Sequence, residues 1–393
     1  MDIAILGAGV AGASAALTLS QQGHRVRVYE RRPAPATMGA GVVLWPNASF
    51  VLAELGLLPR VAALGGRLNR MYRSDQAGMS LGHVDIEPLA QLMGYPAYAI
   101  LRHDLQALLL EQLSARGIEV AYGCDAVQIE DGANGRATVR FANGLNICPD
   151  LVIGADGRKN SVARLYVAGN NAPVYQGFVN WIGVAESSSP LVDEIAVFDY
   201  WGQGERFGCV TVNRNKVYWA GAQVQAVAGE DGPVARELVE QIFRAWPSQV
   251  GRIIRSTPAN GIRKIHVYDH DPLPVWHRNN VLLIGDAAHA PLPTSGQGAC
   301  QALEDAWHLA AYLPSTQDDL ASALAAFTQA RSAKTAGITN QGRVFARALF
   351  DTDAEVCRVR NERASEALGD LGALASAWGA GLPLTALDGQ GRG

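Results

Sequence analysis

Three glycines spaced as Gly7-x-Gly9-x-x-Gly12 stand between an apolar run, residues 2–6, and an Ala-rich stretch reaching Gln22. The order strand, turn, helix gives the spacing its chemistry. Gly7 permits the tight turn, Gly9 lets the backbone approach a pyrophosphate, and Gly12 lets the helix pack closely on the strand. Ala11 sits in the same turn, and the helix start faces the anion with free amide groups. A second strand-like run, Val26 to Tyr29, ends at Glu30, where a carboxylate can accept hydrogen bonds from ribose hydroxyls, and Arg31 follows. The fingerprint alone serves NAD and FAD equally, because both present an ADP half to it.

Two later segments narrow the choice. Ile153 to Ser161 carries Asp156-Gly157, and Ile284 to Gly298 carries Gly285-Asp286, Pro293 and Gly296-Gln297-Gly298. Together with the first motif they resemble, in order and spacing, the DG and GD motifs of the group A FAD-dependent aromatic monooxygenases, the para-hydroxybenzoate hydroxylase-like family. The resemblance runs to about residue 345 and implies FAD as cofactor, with NADH or NADPH as a transient electron donor. It also implies that Arg102 lies near the flavin chain and that Asp156 serves both flavin and nicotinamide. Asp286, at a strand end, would accept from the ribityl hydroxyls. The Gly296-Gln297-Gly298 turn would start a helix whose amides stabilise negative charge on reduced flavin. His289 is expected to be structural, and Cys300 stands where many members have Asn, as a packed thiol.

The substrate side is less explicit. Trp45-Pro46-Asn47, Asn180-Trp181, the segment 202–206 and Val217-Tyr218-Trp219 are similar to segments of bacterial FAD-dependent urate hydroxylases and of salicylate hydroxylase-like members. By that resemblance Arg206 and Tyr218 are the catalytic candidates, Arg206 holding a phenolate, carboxylate or urate-like anion and Tyr218 orienting it. Read as residues alone, both fit ordinary strand positions in a twisted sheet. Trp181, Phe198, Tyr200, Trp201 and Trp219 read mainly as core, with some able to face a flat ligand. Arg358, Arg360, Glu362 and Arg363 read as a solvated helix face.

The resemblance implies hydroxylation of a small aromatic or heteroaromatic substrate by O2 through a flavin C4a-hydroperoxide. Two other readings stay open from the sequence: a flavin oxidoreductase that inserts no oxygen, and a non-catalytic flavin-binding protein.

The elements that must position these residues are of two kinds. Leu101 to Arg116 has leucines at helical spacing and is followed by an alternating run, 118–122, which implies α/β layering. From about Tyr175 to Val227 the chain is aromatic-rich, alternating and poor in helix formers, as an antiparallel sheet requires. After Gly296 it is mostly helical, and Gly379 to Gly393 reads as a mobile tail. The expected fold is mixed α/β and α+β: a Rossmann-like FAD-binding domain with an inserted antiparallel β-sheet substrate domain and a helical C-terminal region. The FAD-binding parts are 1–72, 99–173 and 269–345, the substrate parts 73–98 and 174–268, and the C-terminal region 346–393.

Composition bounds the rest. Over 393 residues, 33 Lys+Arg balance 37 Asp+Glu, a net charge of −4 that does not suit a nucleic-acid partner. No apolar run reaches the roughly 18 residues of a membrane span. The five cysteines are scattered, with no pair spaced for zinc or a redox disulfide, so no metal is expected and a reducing, cytoplasmic location fits. A monomer or homodimer is expected.

Overall fold

In a computed structural model of the chain, residues 1–35, 40–132, 135–169, 172–314, 316, 319–366 and 370–384 are described. The first apolar run forms the strand Asp2–Leu6, centrally placed in a six-stranded sheet. It pairs in parallel with Arg25–Glu30 on one side and Leu151–Gly154 on the other. Val120–Tyr122 extends the sheet beyond Arg25–Glu30, and Val281–Leu283 beyond Leu151–Gly154. All five strands are parallel; His277–Arg278 adds an antiparallel edge. Helices Val10–Gln21, Arg102–Ala115 and Gly298–Tyr312 pack together beside this sheet. Ile3, Ile5, Val28, Ile153 and Leu283 lie in one core with Leu17, Leu109 and Leu303 of these helices. The first helix is buried along nearly its whole length, which its Ala-rich sequence permits by keeping side chains small.

The aromatic-rich region forms the larger part of an eight-stranded sheet. Its central strands, Val174–Glu186, Lys216–Val224, Glu205–Asn213 and Val197–Trp201, run antiparallel in that spatial order. One pairing departs from the pattern, because Val197–Trp201 lies parallel to Arg70–Asp75. That strand and its hairpin partner Ser80–Asp85 bring chain from far upstream onto the sheet edge.

Period-two alternation divides the aromatics between two faces. Trp181, Tyr200, Phe207 and Trp219 point one way, into a core closed by Val239, Phe243, Val250 and Ile254. Asn180, Asp199, Trp201, Arg206 and Tyr218 alternate with them on the opposite face. Trp201 is the member of the sequence-flagged set that turns to that opposite face.

Two sequence expectations need correction here. Arg360 is not on a solvated face: it donates to the Leu349 carbonyl at 2.8 Å and the Gly202 carbonyl at 3.1 Å, and its guanidinium lies over the Trp201 ring. Arg358 does stay exposed, pairing with Glu355 and Glu362. The C-terminal tail is not loose where it is described, because Leu382 and Leu384 join the main core. Residues 385–393 of that tail lie outside the described residues.

Candidate FAD and substrate site

A cleft opens where the parallel strands end at their carboxyl termini, the place ligands take in open α/β sheets. Gly7, Gly9, Glu30, Arg31, Arg102, Asp156 and Gly157 all line it. Each glycine of the fingerprint meets a different constraint. Gly7 has φ +106°, and a Cβ there would stand 2.4 Å from the Ala155 carbonyl oxygen. A Cβ on Gly12 would overlap the Gly7 carbonyl oxygen at 1.9 Å. A Cβ on Gly9 would meet nothing within 4 Å, so the space over it is open. That open cradle at the start of the helix Val10–Gln21 fits a pyrophosphate.

Glu30 braces the turn as well as facing the cleft. Its carboxylate accepts from the Ala8 amide at 2.9 Å and the Arg32 amide at 3.0 Å. Asp156 is held by the Ser161 hydroxyl at 2.5 Å and the Ala163 amide at 3.2 Å. Burial pushes its carboxyl up, against those hydrogen bonds. Arg102 starts the helix Arg102–Ala115, its amide donating to the Ala40 carbonyl at 3.0 Å.

Sequence reasoning missed other cleft residues: Gln106, which donates to the Ala8 carbonyl at 2.8 Å, and Cys124, Asp125 and Ala126. The last three follow directly on the parallel strand Val120–Tyr122, and that position was the available signal.

The Gly285–Gly298 segment follows the strand Val281–Leu283. Gly285 has φ +56°, and a Cβ there would lie 2.6 Å from the Ala11 Cβ, so the two segments cross too closely for a side chain. Asp286 begins a short helix, Pro293–Ser295 is a 3₁₀ turn, and Gly296 at φ +63° turns the chain into the helix Gly298–Tyr312. Buried polar groups stand here without a partner among the described residues, Thr294 Oγ1, Gln297 Nε2 and His289 Nδ1 of the segment and Trp45 Nε1 against Gly296. Orphaned donors of this kind, beside a helix start, fit the polar edge of a flavin ring.

Behind this segment lies a fully buried charge network. Arg331 donates to Glu304 at 2.6 Å and to Asp305 at 2.8 Å, with all three shielded from solvent. Lys334 adds a second contact to Glu304 at 2.8 Å. Asp305 also accepts from the Gly285 amide at 2.8 Å and sits 2.7 Å from His289 Nε2. His289 and Arg331 together hold the Asp305 carboxyl well below the usual carboxylate range, although burial alone would raise it. Asn47 links the network to Gln297 at 3.0 Å. His289 therefore serves to fix this loop. Cys300 is buried and its thiol is pushed up to about 12 by burial, which makes it inert packing.

Arg206 and Tyr218 share one face of the eight-stranded sheet but do not adjoin. Arg206 stands opposite Ala222 and Tyr218 opposite Val210, with the Gly208–Ala220 pair between. Four residues along a strand is about 13 Å, and the Arg206 guanidinium reaches over Gly208, 3.5 Å from where a Cβ there would stand, which leaves the Ala220 side of the gap toward Tyr218. Arg206 Nε donates to Asp199 Oδ1 at 2.6 Å, and Trp201 Nε1 donates to Asp199 Oδ2 at 2.8 Å. The terminal amino groups of Arg206 make no hydrogen bond among the described residues. Burial raises the Tyr218 phenol, so it stays protonated and a donor. Its ring lies where a Cβ on Gly41 would be, at 1.9 Å, which puts the sheet face against the strand Gly41–Leu44. Cys300 Sγ bonds the Val43 carbonyl of that strand, so Tyr218 reaches the Gly296–Cys300 end of the cofactor segment.

A dinucleotide cleft at the strand ends, a second glycine-built segment crossing beside it at Ala11 and a sheet face reaching that segment through the strand Gly41–Leu44 fit a flavin-dependent oxidoreductase. Comparison with known proteins agrees. The model of the FAD binding domain family matches residues 1–340. The FAD-dependent urate hydroxylase of Mycolicibacterium vanbaalenii is 33% identical, over 87% of each chain, and the 6-hydroxynicotinate 3-monooxygenase of Pseudomonas fluorescens is 31% identical over 78% of this chain and 81% of that one. Among solved structures, Klebsiella pneumoniae HpxO complexed with FAD and uric acid is similar with a TM-score of 0.87 and 28% identity, over 97% of each chain. The chain belongs to the FAD binding domain family. It is an FAD-dependent monooxygenase that uses NAD(P)H and O2 to hydroxylate small aromatic or heteroaromatic compounds. The two readings without oxygen insertion give way to this one.

Proposed function

We propose that the substrate is a planar, anionic heteroaromatic or phenolic ring lying over Ala220, anchored by Arg206 and oriented by Tyr218. The observation that carries this is the arrangement of Arg206: Asp199 fixes its Nε while its terminal amino groups remain available toward Ala220. A guanidinium held in that way presents a pre-aimed pair of donors to a carboxylate, phenolate or urate-like edge. The Tyr218 hydroxyl, a donor at neutral pH, would hydrogen-bond a ring oxygen or nitrogen at the other end. Sequence similarity to urate and hydroxynicotinate hydroxylases supports a nitrogen heterocycle.

FAD when bound supplies electron uptake from NAD(P)H and activation of O2. The chain's own part is to place and shield. Gly7, Gly9, Ala11 and Gly12 would hold the pyrophosphate, with Glu30 and Arg31 at the ADP ribose and Arg102, Asp156 and Gly157 along the middle of the cofactor. Gly285 and Asp286 would take the ribityl chain, and Pro293, Gly296, Gln297 and Gly298 the ring. The Gln297 amide and the helix start at Gly298 offer donors to the ring's electron-rich edge. Leu292, fully buried with Phe178 and Trp201, excludes water from the space over it.

The reading also divides the chain into FAD-binding parts 1–72, 99–173 and 269–345, substrate parts 73–98 and 174–268, and a helical C-terminal region 346–393. No helix among the described residues is long and apolar enough to cross a membrane. A cytoplasmic location is proposed on the five unpaired cysteines, and a monomer or homodimer as the assembly.

The test is turnover of the FAD-loaded protein with NADH or NADPH against urate, 6-hydroxynicotinate, salicylate and 4-hydroxybenzoate, with product mass recorded. Coupled oxidation and a product one oxygen heavier support the reading; an Arg206→Gln variant with unchanged KM would overturn the anchor.

A further inference from the structure

A second cleft lies beyond Trp201, between the edge of the large sheet and the helices Leu320–Leu349 and Ala354–Glu366. Its walls are apolar, from Phe345, Val356, Val359 and Ala364, and its cations are Arg73, Arg360 and, at the exposed rim, Arg363. Both guanidinium groups lie against the Trp201 ring, Arg73 at 5.4 Å and Arg360 at 5.5 Å from its centroid. None of the residues proposed to hold the cofactor or the ring lines this cleft.

The charge balance around Trp201 is uneven. The buried carboxylate of Asp199, opposite Arg73 across the sheet, is already engaged by Arg206 and by the Trp201 indole. Arg360 is satisfied by backbone carbonyls. Arg73 is not: among the described residues it has neither an ion pair nor a hydrogen bond, and its Nε is shielded from solvent. Glu355, the carboxylate in the cleft wall, is taken by Arg358 at 2.6 Å. A partly buried guanidinium stays charged, and holding it without a counter-ion is costly. Burial indeed disfavours the charged form of Arg73.

We infer that this cleft is a binding site for an organic anion, a carboxylate carried on an apolar body, with Arg73 as its counter-ion and Phe345, Val356 and Val359 around the body. A carboxylate fits the fork of Arg73, and the aromatic and valine walls favour a hydrocarbon or aryl group over a hydrated inorganic ion. The site is one step removed from the proposed ring position, because Trp201 pairs directly with Arg206 across the sheet. Its ligand is therefore bound beside the substrate anchor without occupying that position.

The test is calorimetric titration of the FAD-loaded protein, without NAD(P)H, with phenylacetate and with its neutral amide. Phenylacetate is expected to bind roughly tenfold tighter than the amide, the scale of one charge-assisted pair. Arg73→Gln is expected to abolish that preference. Val356→Glu, at a position 45% exposed, places an internal carboxylate in the cleft wall and is expected to do the same with the fold intact. Preference for phenylacetate surviving in both variants would overturn Arg73 as the counter-ion, since the acid would then be held by another arginine, Arg206 or the rim residue Arg363. Stronger Arg73-dependent binding of 2′,5′-ADP than of phenylacetate would overturn the ligand class in favour of nicotinamide phosphates. Because nothing turns over in these titrations, their outcome is independent of whether any ring compound gains oxygen.

Discussion

Asp199 grips Arg206 at Nε, 2.6 Å away, and this single contact decides which way the guanidinium of the substrate face is aimed. The Asp199 side chain is 5% exposed and that of Arg206 22%, so the pair is shielded enough for its geometry to be held. Removing Arg206 takes away the anchor and leaves the buried carboxylate hydrogen-bonded by the Trp201 indole, with Arg73 as its nearest cation across the sheet. Arg206→Gln should raise KM for the ring substrate by roughly tenfold or more. Asp199→Asn, which keeps the guanidinium but loosens its aim, should raise it by less. Steady-state kinetics on both variants check the order, and equal effects would contradict it.

Gly9 and Gly12 make opposite demands. Gly9→Ala meets no atom of the chain, so this variant should fold normally yet lose FAD, because the methyl group intrudes on the pyrophosphate cradle. Gly12→Ala drives its Cβ into the Gly7 carbonyl and should fail at folding itself. Flavin content and thermal unfolding of the two purified variants separate the outcomes.

How far the sequence announced this arrangement depended on whether a residue's role is local. The glycines could be read because a turn with φ +106° at Gly7, or a crossing 2.6 Å from Ala11 at Gly285, is a backbone demand met by one residue type. Arg206 and Tyr218 fell on the same face, as period-two alternation on adjacent strands requires, but their spacing across Gly208–Ala220 depends on register. Arg331 was missed because its partners, Glu304 and Asp305, come from another helix; Asp199 and Arg73 were missed because their pairing depends on strand register. Glu304 and Asp305, two acids on an otherwise Ala- and Leu-rich helix, were the available signal that a buried cation must exist. Arg360 read as solvated because the ring that covers it, Trp201, comes from a strand more than 150 residues earlier in the chain.

Arg331 should therefore matter for stability without touching substrate. Arg331→Met leaves Glu304 and Asp305, both fully buried, short of a counter-charge, although Lys334 remains on Glu304. A loss of about 3 kcal/mol is expected, read by urea unfolding. A variant as stable as the parent would show that the network is not held together by this charge.

His308 gives a pH dependence. Burial, reinforced by Arg331, pushes its imidazole down to about 4, so the fold holds it neutral. Its unfolded value is about 6.5, and the folded value is the lower one. The neutral form's stabilisation is thus complete above pH 6.5 and is lost as pH falls toward about 4, by at most about 3 kcal/mol. His308→Leu should flatten that part of the stability–pH curve between pH 7 and 5, and urea unfolding at stepped pH measures it. An unchanged slope would contradict the assignment.

The most direct test of the whole account is oxygen transfer under ¹⁸O2. FAD-loaded protein is supplied with NADH or NADPH and the heterocycle or phenol that best stimulates its oxidation, and the product is weighed. The account predicts one atom of ¹⁸O in the ring product, in proportion to nicotinamide consumed, with that yield falling in Arg206→Gln. Nicotinamide oxidation that ends wholly in hydrogen peroxide, or a product whose new oxygen comes from water, would contradict it.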